Sequence, residues 1–176
     1  MKRRKRTAVI RCAGGGAVRP PQAGGESADC AARMTLPPGE GGCGEGCLGG
    51  GNCLAVCPRE AISFRENGSA AVDREKCIGC GKCVRVCPRG LIALVPAENT
   101  IQPLCSSTLP GRETRLACGA GCIGCGICER ACPAGAIRVA ENRAVIDQEK
   151  CSACGMCAAV CPRGVIHDAN GIISDV

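Results

Sequence analysis

The chain almost lacks aromatic residues. Its 176 residues include one Phe, no Trp and no Tyr, and there is a single His. Aromatic side chains supply much of the buried area of ordinary cores, so a conventional aromatic core is excluded. With 26 Gly and 11 Pro, the backbone is expected to consist mostly of turns and loops. Something other than aromatic packing must stabilise the fold.

Several sequence features of other protein classes are also missing. The chain has no run of 18 or more apolar residues, so no transmembrane helix of its own is predicted. The basic run at residues 2–6 is not followed by an apolar segment, and a secretory signal is therefore not expected. Neither G-x-x-x-x-G-K-[ST] nor G-x-G-x-x-G between a strand and a helix occurs. Chemistry on a small substrate by this chain alone is therefore not expected.

Negative charge is missing from the beginning of the chain. The formal net charge of +6 comes from residues 2–6 and Arg11, and no acidic residue precedes Glu26. No aromatic or further basic patch accompanies this run, so nucleic-acid binding is not predicted. A solvated terminal run is the simple interpretation, and contact with an anionic membrane surface is the alternative.

What the chain has in abundance is cysteine, 20 residues in all. Three runs, which begin at Cys77, Cys122 and Cys151, follow C-x2-C-x2-C-x3-C-P, and a variant run extends from Cys43 to Pro58. This spacing is typical of 4Fe–4S ferredoxins, in which the fourth Cys of each run ligates the other cluster of a pair. Disulfides would need an oxidising compartment, and zinc sites do not require this spacing. The sequence therefore predicts 4Fe–4S clusters, and the spacing favours them over both disulfides and zinc.

The cysteine runs repeat at a fixed interval along the chain. Cys43, Cys47 and Cys57 recur 75 residues later as Cys118, Cys122 and Cys132, and the run from Cys77 recurs 74 residues later. We therefore predict an α+β fold of two tandem bacterial ferredoxin-like modules, each with two 4Fe–4S clusters, short helices and β-hairpins. The predicted division is a basic, Gly/Pro-rich N-terminal arm (1–40), module 1 (41–97), a linker (98–117) and module 2 (118–176).

Turn dipeptides place hairpins between and after the cysteine runs. Asn67-Gly68 separates apolar segments at 61–65 and 70–73, and Glu141-Asn142 separates segments at 136–139 and 144–147. Residues 165–168, followed by Asn170-Gly171 and Ile172-Ile173, resemble a further hairpin. These strands are expected to cover the clusters with aliphatic side chains.

The crossed pattern assigns four ligands to each cluster. The predicted sets are Cys43, Cys47, Cys53 and Cys87; Cys57, Cys77, Cys80 and Cys83; Cys122, Cys125, Cys128 and Cys161; and Cys132, Cys151, Cys154 and Cys157. The first set is irregular because Gly50 stands where the second module has Cys125. Cys43 is the expected replacement, and a three-ligand or three-iron cluster is the alternative.

Four cysteines lie outside these sets: Cys12, Cys30, Cys105 and Cys118. They are either free thiols or the ligands of a fifth cluster or another metal site. His167, the single His, lies in a strand pattern and is expected to be a surface or structural residue. In the loop from Cys151, Ala153 stands where the equivalent loops have Gly79 and Gly124, which makes that loop less free.

Several stretches go beyond a generic ferredoxin. They are VIRC at Cys12, DCAA at Cys30, GCGEGCLGGGNCLAVCP, REKCIGCGKCVRVCPRGLIALVP, LCSSTLPGRETRLAC and GCIGCGICERACPAGAI. Together they resemble the cytoplasmic iron–sulfur part of the B subunit of Rnf-type electron transport complexes, without the N-terminal membrane anchor of that family. The resemblance implies that Cys43 and Gly50 are ordinary for such a subunit.

The resemblance also implies a function. Such a subunit relays electrons from reduced ferredoxin, or another low-potential donor, to membrane-bound flavin subunits of a complex that translocates sodium ions or protons. We therefore expect an electron-transfer subunit without substrate chemistry of its own, cytoplasmic and peripheral to the inner face of the cell membrane. A free-standing polyferredoxin or an electron-transfer subunit of a soluble dehydrogenase or hydrogenase is the alternative. A metal-stabilised binding module without a redox task is a third.

Overall fold

The computed structural model describes residues 4–15, 29–35 and 43–169. Its elements are, in chain order, β1 (Arg6–Ile10), α1 (Cys30–Arg33), α2 (Asn52–Ala55), β2 (Ile62–Phe64), β3 (Ala70–Val72), α3 (Lys82–Val86), β4 (Ile92–Pro96), β5 (Ile101–Pro103), α4 (Gly111–Ala117), α5 (Ile127–Ala131), β6 (Ile137–Ala140), β7 (Arg143–Ile146), α6 (Met156–Ala159) and β8 (Ile166–Asp168). Short helices and short strands occur together, as an α+β fold requires.

Two of the predicted hairpins are present. β2 pairs antiparallel with β3, and β6 pairs antiparallel with β7. The first turn places Gly68 at φ 80°, and the second places Glu141 and Asn142 at φ 48° and 62°. Two consecutive residues with positive φ are the pattern of a type I′ turn, which matches the twist of the strands that it joins.

The other two strand pairs connect distant parts of the chain. β1 pairs antiparallel with β4, so that Ile10 lies opposite Ile92, and β5 pairs antiparallel with β8, so that Pro103 lies opposite Ile166. β1 belongs to the segment predicted as an arm, and β5 belongs to the predicted linker. Each module therefore gains a strand from the segment that precedes it. Residues 170–173, predicted as part of a third hairpin, lie outside the described residues.

Aliphatic and cysteine side chains share the two cores. The core of module 1 contains Ala8, Ile10, Ala61, Ile62, Ala70, Cys77, Cys83 and Ile92. The core of module 2 contains Ile101, Cys105, Cys122, Cys128, Ile137, Ala144, Ile146, Cys157, Val165 and Ile166. Because cysteines form part of each core, a group held by them would fill space that aromatic residues fill elsewhere.

A left-handed glycine begins the helix in each of the four cysteine runs. Gly51, Gly81, Gly126 and Gly155 have φ between 72° and 80° and precede α2, α3, α5 and α6. Only glycine adopts this conformation without strain. The turn carries the third Cys of each run on the helix that follows. Within the described ranges, no helix is long and apolar enough to cross a bilayer.

Candidate metal centres

The fourth cysteine of every run has the same hydrogen bond. The sulfurs of Cys57, Cys87, Cys132 and Cys161 each accept from the backbone N–H four residues later, at 3.3 or 3.4 Å. Donors of this kind stabilise a thiolate relative to a thiol. Burial alone would raise the pKa of the Cys132 thiol, but the backbone N–H groups around it, beginning with that of Ala136, lower it.

The structure brings together the first set of ligands predicted in module 2. Burial raises the pKa of the Cys128 thiol to about 11, and the neighbouring thiols of Cys122, Cys161 and Cys125 contribute to this rise. Cys161 belongs to the other run of the module, and it lies near Cys128 as a crossed arrangement would require. The other three side chains lie close enough to Cys128 to act on it electrostatically.

The second set of module 2 lies next to the first. Burial raises the pKa of the Cys157 thiol to about 11, with contributions from Cys151, Cys128 and Cys132. Cys151 and Cys132 are members of the predicted set, whereas Cys128 belongs to the first set. The two groups of cysteines are therefore adjacent inside one module. Cys154, the remaining member, is exposed, as are Cys80 and Cys125 at the equivalent positions of the other regular runs.

In module 1, the set predicted around the run from Cys77 lines one cavity. Its cysteines are Cys57, Cys77, Cys80 and Cys83. The sulfur of Cys77 accepts a hydrogen bond of 3.4 Å from the N–H of Ala8 in β1. Burial would raise the pKa of the Cys77 thiol, but the N–H groups of Ala8 and Gly79 lower it. β1 therefore takes part in the site as well as in the sheet.

Beside the irregular set of module 1 lies a cysteine that the sequence did not place there. Cys47, Cys53 and Cys87 line a cavity together with Cys30. Burial and the thiols of Cys47, Cys30 and Cys87 raise the pKa of the Cys53 thiol to about 12. Cys43, the expected replacement, lines another cavity. The geometry therefore favours Cys30 over Cys43 beside these three cysteines.

Hydrogen bonds hold α1 and its Cys30 against the cysteine loop. The Cys30 N–H donates to Asn52 Oδ1 at 2.8 Å, and Asn52 Nδ2 donates to Asp29 Oδ1 at 2.8 Å. The same Asp29 oxygen accepts from the N–H of Ala31 at 2.9 Å and caps the helix. At the other end, Arg33 Nη1 donates to the carbonyl of Leu48 at 3.0 Å. α1 is thus fixed to both sides of Gly50.

The arrangement of the cysteine thiols distinguishes a site for a single metal ion from a site for a 4Fe–4S cluster. Among the described residues, no three Cys, His, Asp or Glu side chains are grouped tightly enough for a single metal ion. In a 4Fe–4S cluster each iron takes one protein thiolate, so the ligands stand farther apart than those of one ion. Four thiols per site, with backbone N–H groups directed at the sulfurs, fit such a cluster.

Models of one kind of protein family match the chain. They describe 4Fe-4S dicluster domains, and they match residues 44–94, 76–137 and 121–165. The matches overlap because the middle one joins the second cysteine run of module 1 to the first run of module 2. The chain therefore carries repeated 4Fe–4S ferredoxin domains, as the sequence predicts.

Three curated relatives align with this chain over 123 residues, which is 70% of its length. The B subunit of the Na(+)-translocating ferredoxin:NAD(+) oxidoreductase complex of Acetobacterium woodii is 42% identical, with 37% of that protein covered. The B subunit of the proton-translocating complex of Clostridium ljungdahlii is 46% identical, with 43% covered. The B subunit of the ion-translocating oxidoreductase complex of Methanosarcina acetivorans is 40% identical, with 47% covered. The chain spans less than half the length of each relative, and the resemblance to these B subunits is confirmed.

Proposed function

We propose that this chain, a homologue of the B subunits of Rnf-type oxidoreductase complexes, relays electrons from reduced ferredoxin to other subunits of a membrane-bound complex. It would act in the cytoplasm, bound peripherally to the inner face of the cell membrane. The step transfers one electron: the donor is oxidised by one electron, the chain is reduced by one, and the chain then reduces the next subunit. No bond is made or broken in the protein.

We assign four clusters to the two modules. The ligand sets are Cys30, Cys47, Cys53 and Cys87; Cys57, Cys77, Cys80 and Cys83; Cys122, Cys125, Cys128 and Cys161; and Cys132, Cys151, Cys154 and Cys157. Three of these sets keep the crossed pattern expected from the sequence. In the remaining set, Cys30 replaces Cys43 because α1 places it beside Cys53. Bound there, each cluster would supply reversible one-electron chemistry at low potential.

The protein residues would control access to the sites and their potential. Ile62 and Ile92 in module 1 and Ile137 and Val165 in module 2 are buried beside the cysteines, where they exclude water. Backbone N–H groups directed at the sulfurs stabilise added negative charge and so raise the reduction potential. The exposed Cys80 and Cys154 lie near the exposed apolar residues Ile78 and Met156 in the chain. These two places are suited to contact with an electron donor or acceptor.

The observation that carries this proposal is the adjacency of two cysteine sets within one module. Cysteines of both sets, Cys128 and Cys157 among them, are buried in one core, and Cys132, Cys151 and Cys161 pack against that core. A single structural cluster would not need a second site in the same core. Two sites that share one core are close enough for an electron to pass from one to the next.

The test is a titration of the full chain, purified and reconstituted without oxygen, with reduced ferredoxin. The expected result is about 16 or more iron with matching sulfide per chain and stepwise bleaching of the visible absorbance as electrons are accepted. Oxidised ferredoxin is the control and should leave the absorbance unchanged. Zinc without sulfide, or clusters that reduced ferredoxin cannot reduce, would end the proposal. Membrane subunits that co-purify with the chain from native cells would separate it from a free-standing polyferredoxin.

A further inference from the structure

Four cysteines remain outside the assigned clusters, and they line one cavity between the two modules. They are Cys12, Cys43, Cys105 and Cys118. Cys105 is buried and the other three are partly buried. Burial raises the pKa of the Cys12 and Cys105 thiols, and the thiol of Cys118 adds to the shift of both. The four side chains are therefore neighbours, although they come from four separate segments of the chain.

Each module, together with the segment that precedes it, contributes two of these cysteines from equivalent positions. Cys12 lies two residues after the end of β1, and Cys105 lies two residues after the end of β5. Cys43 lies four residues before Cys47, and Cys118 lies four residues before Cys122, the equivalent of Cys47 in the repeat. The cavity therefore has two equivalent halves, and each half has the same local structure.

The hydrogen bonds follow the same symmetry. The N–H of Cys47 donates to the sulfur of Cys12 at 3.3 Å, and the N–H of Cys122 donates to the sulfur of Cys105 at 3.4 Å. The fourth ligands of the assigned clusters have bonds of the same length. The sulfurs of Cys12 and Cys105 are therefore surrounded in the same way as cluster ligands.

The modules meet around this cavity through backbone hydrogen bonds. The N–H of Gly119 donates to the carbonyl of Gly15 at 2.7 Å, and the N–H of Ala13 donates to the carbonyl of Leu104 at 3.1 Å. Glu45 of module 1 accepts from the hydroxyl of Thr108 at 2.7 Å. The positions of the four cysteines are thus fixed by the junction itself.

Arginine side chains lie beside the cavity and bond to two of its cysteines. Arg65 Nη1 donates to the carbonyl of Cys12 at 3.2 Å, and Arg163 Nη2 donates to the carbonyl of Cys118 at 2.6 Å. Arg11 also lines the cavity, together with the carboxylate of Glu45. A 4Fe–4S cluster with four thiolates carries a charge of about −2 when oxidised. The guanidinium groups would offset that charge, which four neutral thiols would not need.

We propose that Cys12, Cys43, Cys105 and Cys118 hold a fifth 4Fe–4S cluster that connects the two modules. Cys47 belongs to a cluster of module 1 and Cys122 to a cluster of module 2, and each donates its N–H to a sulfur of the new site. The fifth cluster is therefore in contact with one cluster on each side. Its part in electron transfer rests on the proposed function, whereas its presence rests on the geometry of the junction.

The test is the iron and sulfide content of the full chain and of cysteine variants, loaded without oxygen. The unaltered chain should hold about 20 iron, and Cys105→Ala should hold about 16, or about 19 with the EPR signal of a three-iron cluster. Ser107→Ala, which removes a hydroxyl from the same cavity, is the control and should keep about 20. A chain with about 16 iron that Cys105→Ala leaves unchanged, or with zinc at this site, would overturn the fifth cluster.

Double variants test which cysteines share a site. Cys43→Ala with Cys105→Ala should lose no more iron than either change alone, because both remove the same cluster. Cys30→Ala with Cys43→Ala should lose about eight iron, because these residues belong to different clusters. The opposite pattern would refute the exchange of Cys30 and Cys43. If the unaltered chain holds no iron and sulfide at all, the proposed function itself fails, which is a different outcome from a chain with four clusters.

Discussion

Ala153 has a strained backbone, and substitutions there and at glycines of positive φ test how strain in the cysteine loops affects stability. Gly49, Gly79 and Gly124 have φ between 64° and 67°, and Ala153 occupies the equivalent place with φ 54°. An L-residue in this region costs roughly 1–2 kcal/mol. Ala153→Gly should remove that cost, although the flexible unfolded chain returns about 0.4–1 kcal/mol of it. The expected net gain is about 0.5–1 kcal/mol.

Two glycines provide the reverse change with different surroundings. Gly90 has φ 61°, and a Cβ there would meet no atom within 4 Å, so Gly90→Ala should cost only the strain less the unfolded-chain effect, about 0.5–1 kcal/mol. At Gly79, a Cβ would collide with the backbone carbonyl oxygen of Arg6 in β1. Gly79→Ala should therefore cost more than Gly90→Ala, because it also displaces β1 from the Cys77 site.

The assay is the rate at which the loaded chain loses visible absorbance in guanidinium and an iron chelator, without oxygen. Unfolding of a metal protein is not a reversible two-state process, so a rate is the appropriate measure. A change of 1 kcal/mol in the barrier corresponds to about fivefold in rate. The expected order, from slowest to fastest, is Ala153→Gly, the unaltered chain, Gly90→Ala and Gly79→Ala. Equal rates for Gly90→Ala and Gly79→Ala would refute the contact with β1, and no slowing in Ala153→Gly would refute the strain.

Three further predictions concern other parts of the molecule. Cys80→Ala should lower the iron content by about four per chain; full iron content would show that the ligand assignment there is wrong. Asn52→Ala removes the acceptor of the Cys30 N–H, so about four iron should be released faster than the rest, and a uniform release rate would contradict the anchoring of α1. Gly15→Val should weaken the junction, because a Cβ at Gly15 would collide with the backbone of Ala120; proteolysis between the modules measures this, and Gly44→Ala, which meets open space, is the control.

The hairpins could be predicted because their turns depend on residues that are neighbours in the sequence. The turn at Asn67-Gly68 and the turn at Glu141-Asn142 depend on neighbouring residues, and both hairpins are present as predicted. β1 and β5 could not be found in this way. Each is short, each pairs with a strand more than 60 residues away in sequence, and β5 ends at Pro103, which argues against a strand. Their partners are determined by the arrangement of the cores.

The proposed exchange of Cys30 and Cys43 agrees with the repeat when every cysteine is compared with its counterpart. Nine cysteines of module 1 and the segment before it have equivalents in the second half of the chain, including Cys12 with Cys105 and Cys43 with Cys118. Equivalent residues in a repeat are expected to have equivalent roles, so Cys43 belongs with Cys118 and is not free to replace another ligand. Two positions do not fit the repeat. Gly50 stands where the second half of the chain has Cys125, and Cys30 has no equivalent cysteine in the second half. The proposed ligand set accounts for both together, because α1 places Cys30 beside the loop that contains Gly50.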